Sequence, residues 1–426
     1  MRDIEAEEAG RRLWVNRKIL EVMERYGFQL VEPSPIESLE TLEAKCGPSI
    51  REEIYWFEDK ARRKLGLRFD LTVGLARMVA SRPDWATPLK LCALSNMWRY
   101  DEPQYGRYRC FYQWDAEIFG SPLPEADAEV IALSVDVLEN LGLKDFEVRI
   151  SNRRLVEAFL SQLGLENQEK REAVLRVIDK RGKLEENRFT QELENLNLAA
   201  EQRNRLLDFI SIKKEPEAAL AVLAETPWKS PEAERGLEEL RRVVDSLKLL
   251  GKTAPCLLDM SVIRGIGYYD GVVFEIYDRM EAALGAVVGG GRYDGLCRVY
   301  GRDLPATGTA GGIERLLIAL EKAGSIPSST QAPQVFVAAA TSEVRGKALE
   351  LAGWLRAQGI SVDYDLKNRP LKGQLEYADA SGIPFALVVG PRELEKGLVR
   401  LRDLRKRMEA EVKIEEVPSK VSGVEG

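Results

Sequence analysis

The chain of 426 residues carries 62 Lys and Arg against 69 Asp and Glu, a net charge of −7, and 45% of its residues are hydrophobic. These values describe an ordinary globular protein with room for two or three domains. They exclude an overall basic protein, although a local patch that binds nucleic acid stays compatible with them. Because no apolar run reaches the length of a membrane span, we expect no membrane association.

Histidine is absent from the chain, and its absence excludes whole classes of catalytic site. Ser-His-Asp triads, HExxH metal sites and histidine proton shuttles all need an imidazole. The five cysteines lie far apart without a CxxC pair, which indicates reduced thiols and disfavours a zinc cluster. An N-terminal segment without an apolar signal region adds to the expectation of a cytoplasmic protein. Ionisations near pH 5.5 to 7.5 are expected mainly from substrate groups, unless a carboxylate or thiol is strongly shifted.

The first part of the chain alternates between helical and strand-like segments. A helix is predicted over residues 4–26, and Pro33 and Pro35 interrupt the segment that follows. Strand-like stretches around IYWFED and LGLRFD precede a predicted helix, LTVGLARMVA. The strand LKLCALSNMWRY, a turn at PQYG and a second strand then predict a β-hairpin.

Residues 99–120, RYDEPQYGRYRCFYQWDAEIFG, carry an unusual ordering of charge. With the period of a strand, the even positions are largely apolar and suit a core. A half-solvated antiparallel strand is the simpler explanation, but a solvated face rarely places all its cations first and its carboxylates last. The odd positions form that row: Arg107, Arg109, Phe111, Gln113, Asp115 and Glu117.

Composition changes twice in the remainder of the chain. Residues 164–248 are dense in Glu, Lys, Arg and Leu and predict an inserted helical module. Strand character and glycine return at 256–300, and the later segment GSIPSSTQAP predicts a linker. Beyond it, strands and helices alternate as in a small α/β domain with a mainly parallel sheet. We therefore predict an α/β protein with a first domain over 1–325, a linker over 326–333 and a second domain over 334–426.

Two segments with glycine admit more than one interpretation. GAVVGGGRYDGL (285–296) has neither phosphate-loop nor GxGxxG spacing. Its glycines 289–291 permit close approach of another backbone or of a ligand, and the residues alone do not decide between them. RGIGYYDGVVFEIY (264–277) places one arginine and two tyrosines before a β-rich run, and in isolation a strand with surface tyrosines explains it.

Taken together, these segments predict a site for an anionic nucleotide beside a small cationic substrate. Guanidinium forks bind phosphate oxygens, and guanidinium planes stack on a purine. Asp70 and Glu117, with Gln113 and the two tyrosines, are candidates for an adjoining polar pocket. The arginines found in strand or glycine contexts are Arg99, Arg107, Arg109, Arg264 and Arg315.

The same segments, in the same order, resemble the histidyl-tRNA synthetases, a family of class II aminoacyl-tRNA synthetases. Pro35 stands where the family's dimer-interface motif has its proline. RYDEPQYGRYRCFYQWDAEIFG is similar to the second class II motif, GTAGGIERLLIAL to the third, and RGIGYYDGVVFE to a histidine-specific signature. GGGRYDGL is similar to a glycine-rich strand of the family, and RPLKGQLEYADASGIPFALVVG to its anticodon-binding domain. The QWD and RFDLTV segments are closer to the archaeal and eukaryotic branch.

The resemblance implies a fold and a reaction. The fold is an α+β catalytic domain with an antiparallel sheet flanked by helices, a helical insertion, and a C-terminal α/β anticodon-binding domain. The reaction activates histidine with ATP and transfers it to the 3′ end of tRNA(His). The implied partners are histidine, ATP with Mg²⁺, tRNA(His) and a second copy of the chain in a homodimer. No resident metal is expected.

The resemblance also implies roles for individual residues. Arg99 and Arg264 would contact the α-phosphate and act as the catalytic pair, while Arg107 and Arg109 hold the outer phosphates. Phe111 and Arg315 would sandwich the adenine. The histidine-binding set includes Arg264 and has three further parts. The amino group would be held by Asp70, Thr72 and Gln113, and the imidazole would be bound by Glu117 and Tyr269. The pocket would be shaped by Tyr268, Gly289, Gly290 and Gly291.

Two departures from the family pattern leave alternatives open. Gly267 stands where the family usually has an acidic residue, and Glu102 stands where many members carry a basic residue toward the tRNA acceptor end. One alternative is the histidine-sensing regulatory subunit of ATP phosphoribosyltransferase, which resembles the catalytic domain but lacks ligase activity. The retained arginines and the C-terminal domain disfavour it. The other is a paralogue that activates a different substrate, for which Gly267 is the sole argument.

Overall fold

A computed structural model describes most of the chain, and it divides into two compact units. One unit consists mainly of Arg12–Ile326 and the other mainly of Pro327–Gly426. In the part of the chain that is described, no helix is long and apolar enough to cross a membrane. The described residues are 2–46, 48–100, 102, 105–182, 184–264, 269–327 and 332–422.

The larger unit combines a broad sheet with helices. The helices are α1 (Ala6–Arg25), α2 (Leu39–Cys46), α3 (Leu71–Ala80), α4 (Pro124–Leu141), α5 (Arg153–Gln162), α6 (Gln168–Ile178), α7 (Glu186–Asn195), α8 (Ala200–Ile210), α9 (Pro216–Glu225), α10 (Pro231–Leu249), α11 (Leu296–Val299) and α12 (Ile313–Lys322). The strands are β1 (Gln29–Leu30), β2 (Ile36–Ser38), β3 (Trp56–Glu58), β4 (Lys64–Leu67), β5 (Leu89–Trp98), β6 (Cys110–Phe119), β7 (Phe146–Asn152), β8 (Lys213–Lys214), β9 (Cys256–Asp259), β10 (Val272–Asp278), β11 (Ala286–Arg292) and β12 (Ala306–Gly312).

The broad sheet is largely antiparallel, as expected for the class II architecture. Its order is β1-β5-β6-β12-β11-β10-β7-β9-β8, and only β1 with β5 and β7 with β9 run parallel among the described pairs. The predicted hairpin is confirmed, since β5 and β6 pair antiparallel from Leu89 opposite Phe119 to Trp98 opposite Cys110. Residues 103 and 104 of its predicted turn lie outside the described residues.

Alternation along β6 separates a core face from a second, polar face. Trp114, Ala116 and Ile118 are buried in the main hydrophobic core together with α4. Because α4 is buried over most of its surface, one side of the sheet is closed by apolar packing. The odd residues of β6 project to the other side, where α3 packs against the sheet.

The segment 164–248 is helical, as the composition predicts, but it is joined to the sheet. Strand β8 pairs with β9 at the sheet edge. Leu240 and Val243 of α10 belong to the same core as the sheet residues. The domain bounds given above stay a prediction.

The smaller unit has a five-stranded sheet among its described residues. Strands β14, β13 and β15 are parallel, as predicted, whereas the antiparallel pair β16 and β17 was not predicted. In β17 nearly every side chain is exposed, so the apolar alternation that signals a strand is missing. Its elements are β13 (Val335–Ala339), α13 (Arg345–Ala357), β14 (Val362–Tyr364), α14 (Leu371–Ala380), β15 (Phe385–Val389), α15 (Pro391–Leu394), β16 (Leu398–Asp403), β17 (Met408–Lys413) and α16 (Val417–Ser422).

A buried ion pair ties α4 to β11. Arg292 and Asp127 are 3% and 2% exposed, and Arg292 Nε donates to Asp127 Oδ2 at 2.9 Å. Arg292→Met is expected to cost about 3–5 kcal/mol in unfolding free energy, because it leaves a buried carboxylate without its ion-pair partner. Arg242→Met, which breaks the exposed pair with Glu125, is expected to leave the unfolding free energy nearly unchanged, because solvent screens an exposed ion pair. Urea unfolding of both variants tests this, and equal costs would contradict it.

Candidate active site

A cavity opens on the polar face of the broad sheet, over β6, β11 and β12. Water-sized molecules can occupy about 230 Å³ of it. Its walls bring together side chains that are far apart in the chain, with cations and carboxylates in one continuous space. The charged residues that line it are Asp70, Arg99, Arg107, Glu117, Arg264, Glu314 and Arg315.

Arg315 marks a region of crowded positive charge. Its Nη1 donates to Ala286 O at 2.7 Å and its Nε to Gly106 O at 3.3 Å, so two backbone carbonyls hold the guanidinium. Burial, followed by the neighbouring positive charges, lowers the pKa of Arg315 below its ordinary value. Like charges held this close favour a bound anion that neutralises them. The neighbouring guanidiniums are those of Arg107, Arg99 and Arg264.

Arg99 connects this region to the aromatic residue of β6. Its Nε donates to Phe69 O at 2.9 Å, and its guanidinium carbon lies 5.0 Å from the centre of the Phe111 ring. A cation at this distance is attracted to the face of the ring. The phosphate-binding candidates and the purine-binding candidate therefore share one wall.

Arg264 has a strained backbone. Its φ angle is +48°, in the left-handed region that a residue with a long side chain rarely adopts. Such strain is held in place by surrounding structure and is concentrated at functional sites. The guanidinium lies 3.6 Å from Glu275 Oε1 and 3.4 Å from the Tyr269 hydroxyl. A Cβ on Gly289 would lie 1.9 Å from Arg264 Nη1, so the arginine occupies space that only glycine leaves open.

Glu117 lies at the acidic end and is 2% exposed. It accepts hydrogen bonds from Thr72 Oγ1 at 2.7 Å and from the Tyr293 hydroxyl. Burial, followed by the charge of Asp115, raises the pKa of Glu117 well above its ordinary value. A buried acceptor with two donors and space beside it can bind a polar N–H group of a ligand.

Glycine in β12 makes room for this carboxylate. Gly308 lies opposite Glu117 in the strand register, and a Cβ at Gly308 would lie 1.4 Å from Glu117 Oε2. The side chain of Glu117 therefore occupies the position where any other residue would place its Cβ. This explains physically why residue 308 is a glycine.

A family model described as histidyl-tRNA synthetase matches residues 1–316, and one described as an anticodon binding domain matches residues 334–423. The chain is 36% identical over 425 residues to the histidine–tRNA ligase of Pyrococcus horikoshii, covering 99% of this chain and 97% of that protein.

The chain belongs to the histidyl-tRNA synthetase family. Its fold is similar to the crystal structure of histidyl-tRNA synthetase from Nostoc sp. PCC 7120, with a TM-score of 0.87, 27% identity and coverage of 99% and 97% of the two chains. It is also similar to a Bacillus halodurans protein described as an ATP phosphoribosyltransferase regulatory subunit/histidyl-tRNA synthetase, with a TM-score of 0.76 and 26% identity over 91% and 96% of the two chains. The predicted family and fold class are confirmed.

Most of the predicted site residues of this family member line the cavity. Two of the described ones, Arg109 and Gly291, are not among the lining residues, and the roles of all stay predictions. The Arg109 guanidinium lies 4.5 Å from the centre of the Tyr100 ring. At Gly291 a Cβ would lie 2.5 Å from Val272 O, which indicates close backbone packing. Tyr268 lies outside the described residues, as does Gly267. The lining members are Asp70, Thr72, Arg99, Arg107, Phe111, Gln113, Glu117, Arg264, Tyr269, Gly289, Gly290 and Arg315.

Sequence reasoning assigned no role to four further residues at the site. Tyr293 and Gly308 line the cavity beside Glu117, and Glu314 lines it while accepting from the Tyr112 backbone N–H at 2.9 Å. Asp115 is fully buried between two lining residues of β6 and does not itself line the cavity. Tyr293 and Gly308 belong to glycine-rich segments already singled out, but a contact with Glu117 across strands has no signal in a single sequence.

Tyr293→Phe removes one of the two donors to Glu117. We expect histidine affinity to fall by about 1–3 kcal/mol, because the buried carboxylate loses a hydrogen bond and its charged form becomes less stable. Equilibrium dialysis of histidine measures the effect. Tyr26→Phe is the control, since it also removes a tyrosine–carboxylate hydrogen bond, to Asp136, away from the cavity. Equal affinities of the two variants would contradict the role given to Tyr293.

Asp115 predicts how stability depends on pH. Burial, followed by the charge of Asp70, raises the pKa of Asp115 from 3.8 to about 7. As pH rises, Asp115 loses its proton in the unfolded chain before it does so in the folded protein. The contribution of Asp115 to the free energy of unfolding is therefore highest below about pH 4 and falls until about pH 7, by about 1.4 kcal/mol for each unit of difference between the two pKa values. Asp115→Asn is expected to stabilise the protein more at pH 8 than at pH 4.5. Thermal unfolding at both values checks the sign, and a larger gain at pH 4.5 would contradict it.

Proposed function

We propose that this chain is a histidine–tRNA ligase. In the first step, a carboxylate oxygen of histidine attacks the α-phosphorus of ATP, the bond to the β-phosphate breaks, and pyrophosphate leaves. In the second step, the terminal ribose hydroxyl of tRNA(His) attacks the carbonyl carbon of the adenylate and AMP leaves. Neither step needs a nucleophile from the enzyme, which suits a chain without histidine.

This proposal rests on a single cavity whose positive and negative side chains lie in separate parts, in a chain of this family. Arg99, Arg107, Arg264 and Arg315 line one part, and Asp70 and Glu117 line another. The first part suits a triphosphate and the second a cationic amino acid. Transfer is then catalysed by proximity and by stabilisation of charge on the phosphoryl oxygens.

ATP and Mg²⁺ are proposed as a substrate complex. Among the described residues, no group of three or more His, Cys, Asp or Glu side chains is placed to hold a metal ion. Mg²⁺ commonly binds through substrate phosphates, waters and only one or two carboxylates. We therefore propose that the cation arrives with the nucleotide.

The remaining proposed partners are tRNA(His) and a second copy of the chain. The match of residues 334–423 to an anticodon binding domain supports recognition of tRNA by the C-terminal domain. The homodimer is proposed because Pro35 stands where the family's dimer-interface motif has its proline. Cytoplasmic location follows from the activity proposed.

ATP–pyrophosphate exchange with each of the twenty amino acids tests the proposal. Exchange that depends on histidine, followed by transfer to a tRNA(His) transcript, is the expected result. The similarity to the Bacillus halodurans protein keeps the regulatory subunit as a second candidate. Histidine binding without any exchange would favour that candidate, and exchange with another amino acid would favour a different substrate.

A further inference from the structure

Asp115 belongs to the polar row of β6 but has no place in the activity described so far. It lies between Gln113 and Glu117, which both line the cavity. Its own side chain is fully buried, with 0% exposure. A buried carboxylate beside a binding pocket is costly for folding, and the contacts of Asp115 show what it contributes there.

Its strongest contact is with the amide of Gln113. Gln113 Nε2 donates to Asp115 Oδ1 at 2.7 Å. A glutamine amide has two chemically different ends, and either can face a ligand unless a neighbour selects one. Because Asp115 Oδ1 accepts, it binds the NH₂ end and leaves Oε1 as the acceptor available to a ligand.

The second contact joins Asp115 to the other carboxylate of the pocket. Thr72 Oγ1 lies 3.3 Å from Asp115 Oδ2 and 2.7 Å from Glu117 Oε1. The hydroxyl has one proton, and the shorter distance assigns it to Glu117. A proton on Asp115 Oδ2 would donate to Thr72, so the network is complete when Asp115 is neutral. The raised pKa of Asp115, caused first by burial and then by Asp70, agrees with that state, and Oδ1 still accepts from Gln113 in it.

We propose that Asp115 is a positioning residue that orients the Gln113 amide so that its oxygen accepts from the α-ammonium group of the substrate. The inference deepens the proposed function, because it takes histidine as the ligand. An asparagine at this position presents both an oxygen and an NH₂ group to Gln113, so the orientation of the amide is no longer selected. The loss is expected only for ligands that carry the ammonium group.

Equilibrium dialysis with histidine and with 3-(imidazol-4-yl)propionate, which lacks the amine, tests the proposal. Asp115→Asn is expected to weaken histidine binding by about tenfold to a hundredfold, as for a hydrogen bond to a charged group, and to change propionate binding by less than about twofold. Asp278→Asn is the matched control, since Asp278 is also buried, at 3% exposure, with a pKa raised by burial. Equal weakening of both ligands, or no weakening of histidine, would overturn the proposal.

Two further measurements keep the test independent of one variant and of catalysis. Asp115→Ser is expected to show the same selective loss. In the unmodified protein, the side-chain amide protons of Gln113, assigned by their absence in Gln113→Leu, should exchange slowly with solvent, and fast exchange would overturn the proposal. Ligand binding is measured without turnover, so the two proposals can fail separately. If the unmodified protein shows no ATP–pyrophosphate exchange, the proposed ligase activity is rejected and the role of Asp115 is not. If the protein is active but Asp115→Asn weakens both ligands equally, the role of Asp115 is rejected and the ligase activity is not.

Discussion

Arg264→Ala is expected to lower kcat for histidine-dependent ATP–pyrophosphate exchange by about 10²–10³-fold. Losing one preorganised donor to developing charge costs about this much in enzymes that depend on electrostatic stabilisation. The left-handed backbone of Arg264 and the space left by Gly289 show that the fold places this guanidinium at the cavity at some cost in strain. The KM for ATP is expected to change far less than kcat, because the other cavity arginines still bind the triphosphate.

Steady-state exchange kinetics measure both parameters. Arg279→Ala is the control. Arg264 precedes strand β10 and Arg279 directly follows it, but Arg279 forms ion pairs with Asp145 and Glu147 and does not line the cavity. Arg264→Lys keeps the charge without the planar fork, and we expect it to recover only a small part of the rate. A variant that raises the KM for ATP while kcat is unchanged would show that Arg264 binds the ground state alone.

Gly308→Ala is expected to abolish histidine binding while the protein still folds. The new Cβ would overlap Glu117 Oε2 at 1.4 Å, so the carboxylate has to leave the position where Thr72 and Tyr293 donate to it. Displacing a buried carboxylate from its donors removes the acceptor proposed for the imidazole. The loss is expected to exceed about a hundredfold in affinity, with ATP binding changed much less.

Dialysis of histidine and of ATP, with circular dichroism to verify folding, measures this outcome. Gly295→Ala is the control, because nothing lies within 4 Å of a Cβ there and its φ of −77° suits any residue. Normal histidine affinity in the Gly308 variant would mean that Glu117 does not contact the ligand.

The strand pattern allowed the core of this site to be predicted. The period of two placed Phe111, Gln113 and Glu117 on one face, and the structure lines one cavity with all three. Arg264 and Arg315, far away in the chain, were predicted from their strand or glycine contexts, and the resemblance added a role for each of them. Arg109 shows the limit of the pattern. It precedes the first residue of β6, and its guanidinium lies over the Tyr100 ring.

The sequence could not predict how deeply each side chain is buried or which side chains are in contact across strands. Asp115 has the same place in the alternation as its neighbours, yet it lies beneath the cavity instead of lining it. Its raised pKa bears on the expectation that ionisations near neutral pH come mainly from substrate groups unless a carboxylate or thiol is strongly shifted. The exception for a strongly shifted carboxylate applies, because burial, followed by the charge of Asp70, raises the pKa of Asp115 to about 7.

A structure of the protein with histidine and a non-hydrolysable ATP analogue tests the central claim most directly. We predict one nucleotide in the cavity, its α-phosphate contacted by Arg99 and Arg264 and its base beside Phe111 and Arg315, with the amino acid between Asp70 and Glu117. A nucleotide bound at another surface, or a cavity that holds histidine while these arginines contact no phosphate, would contradict it.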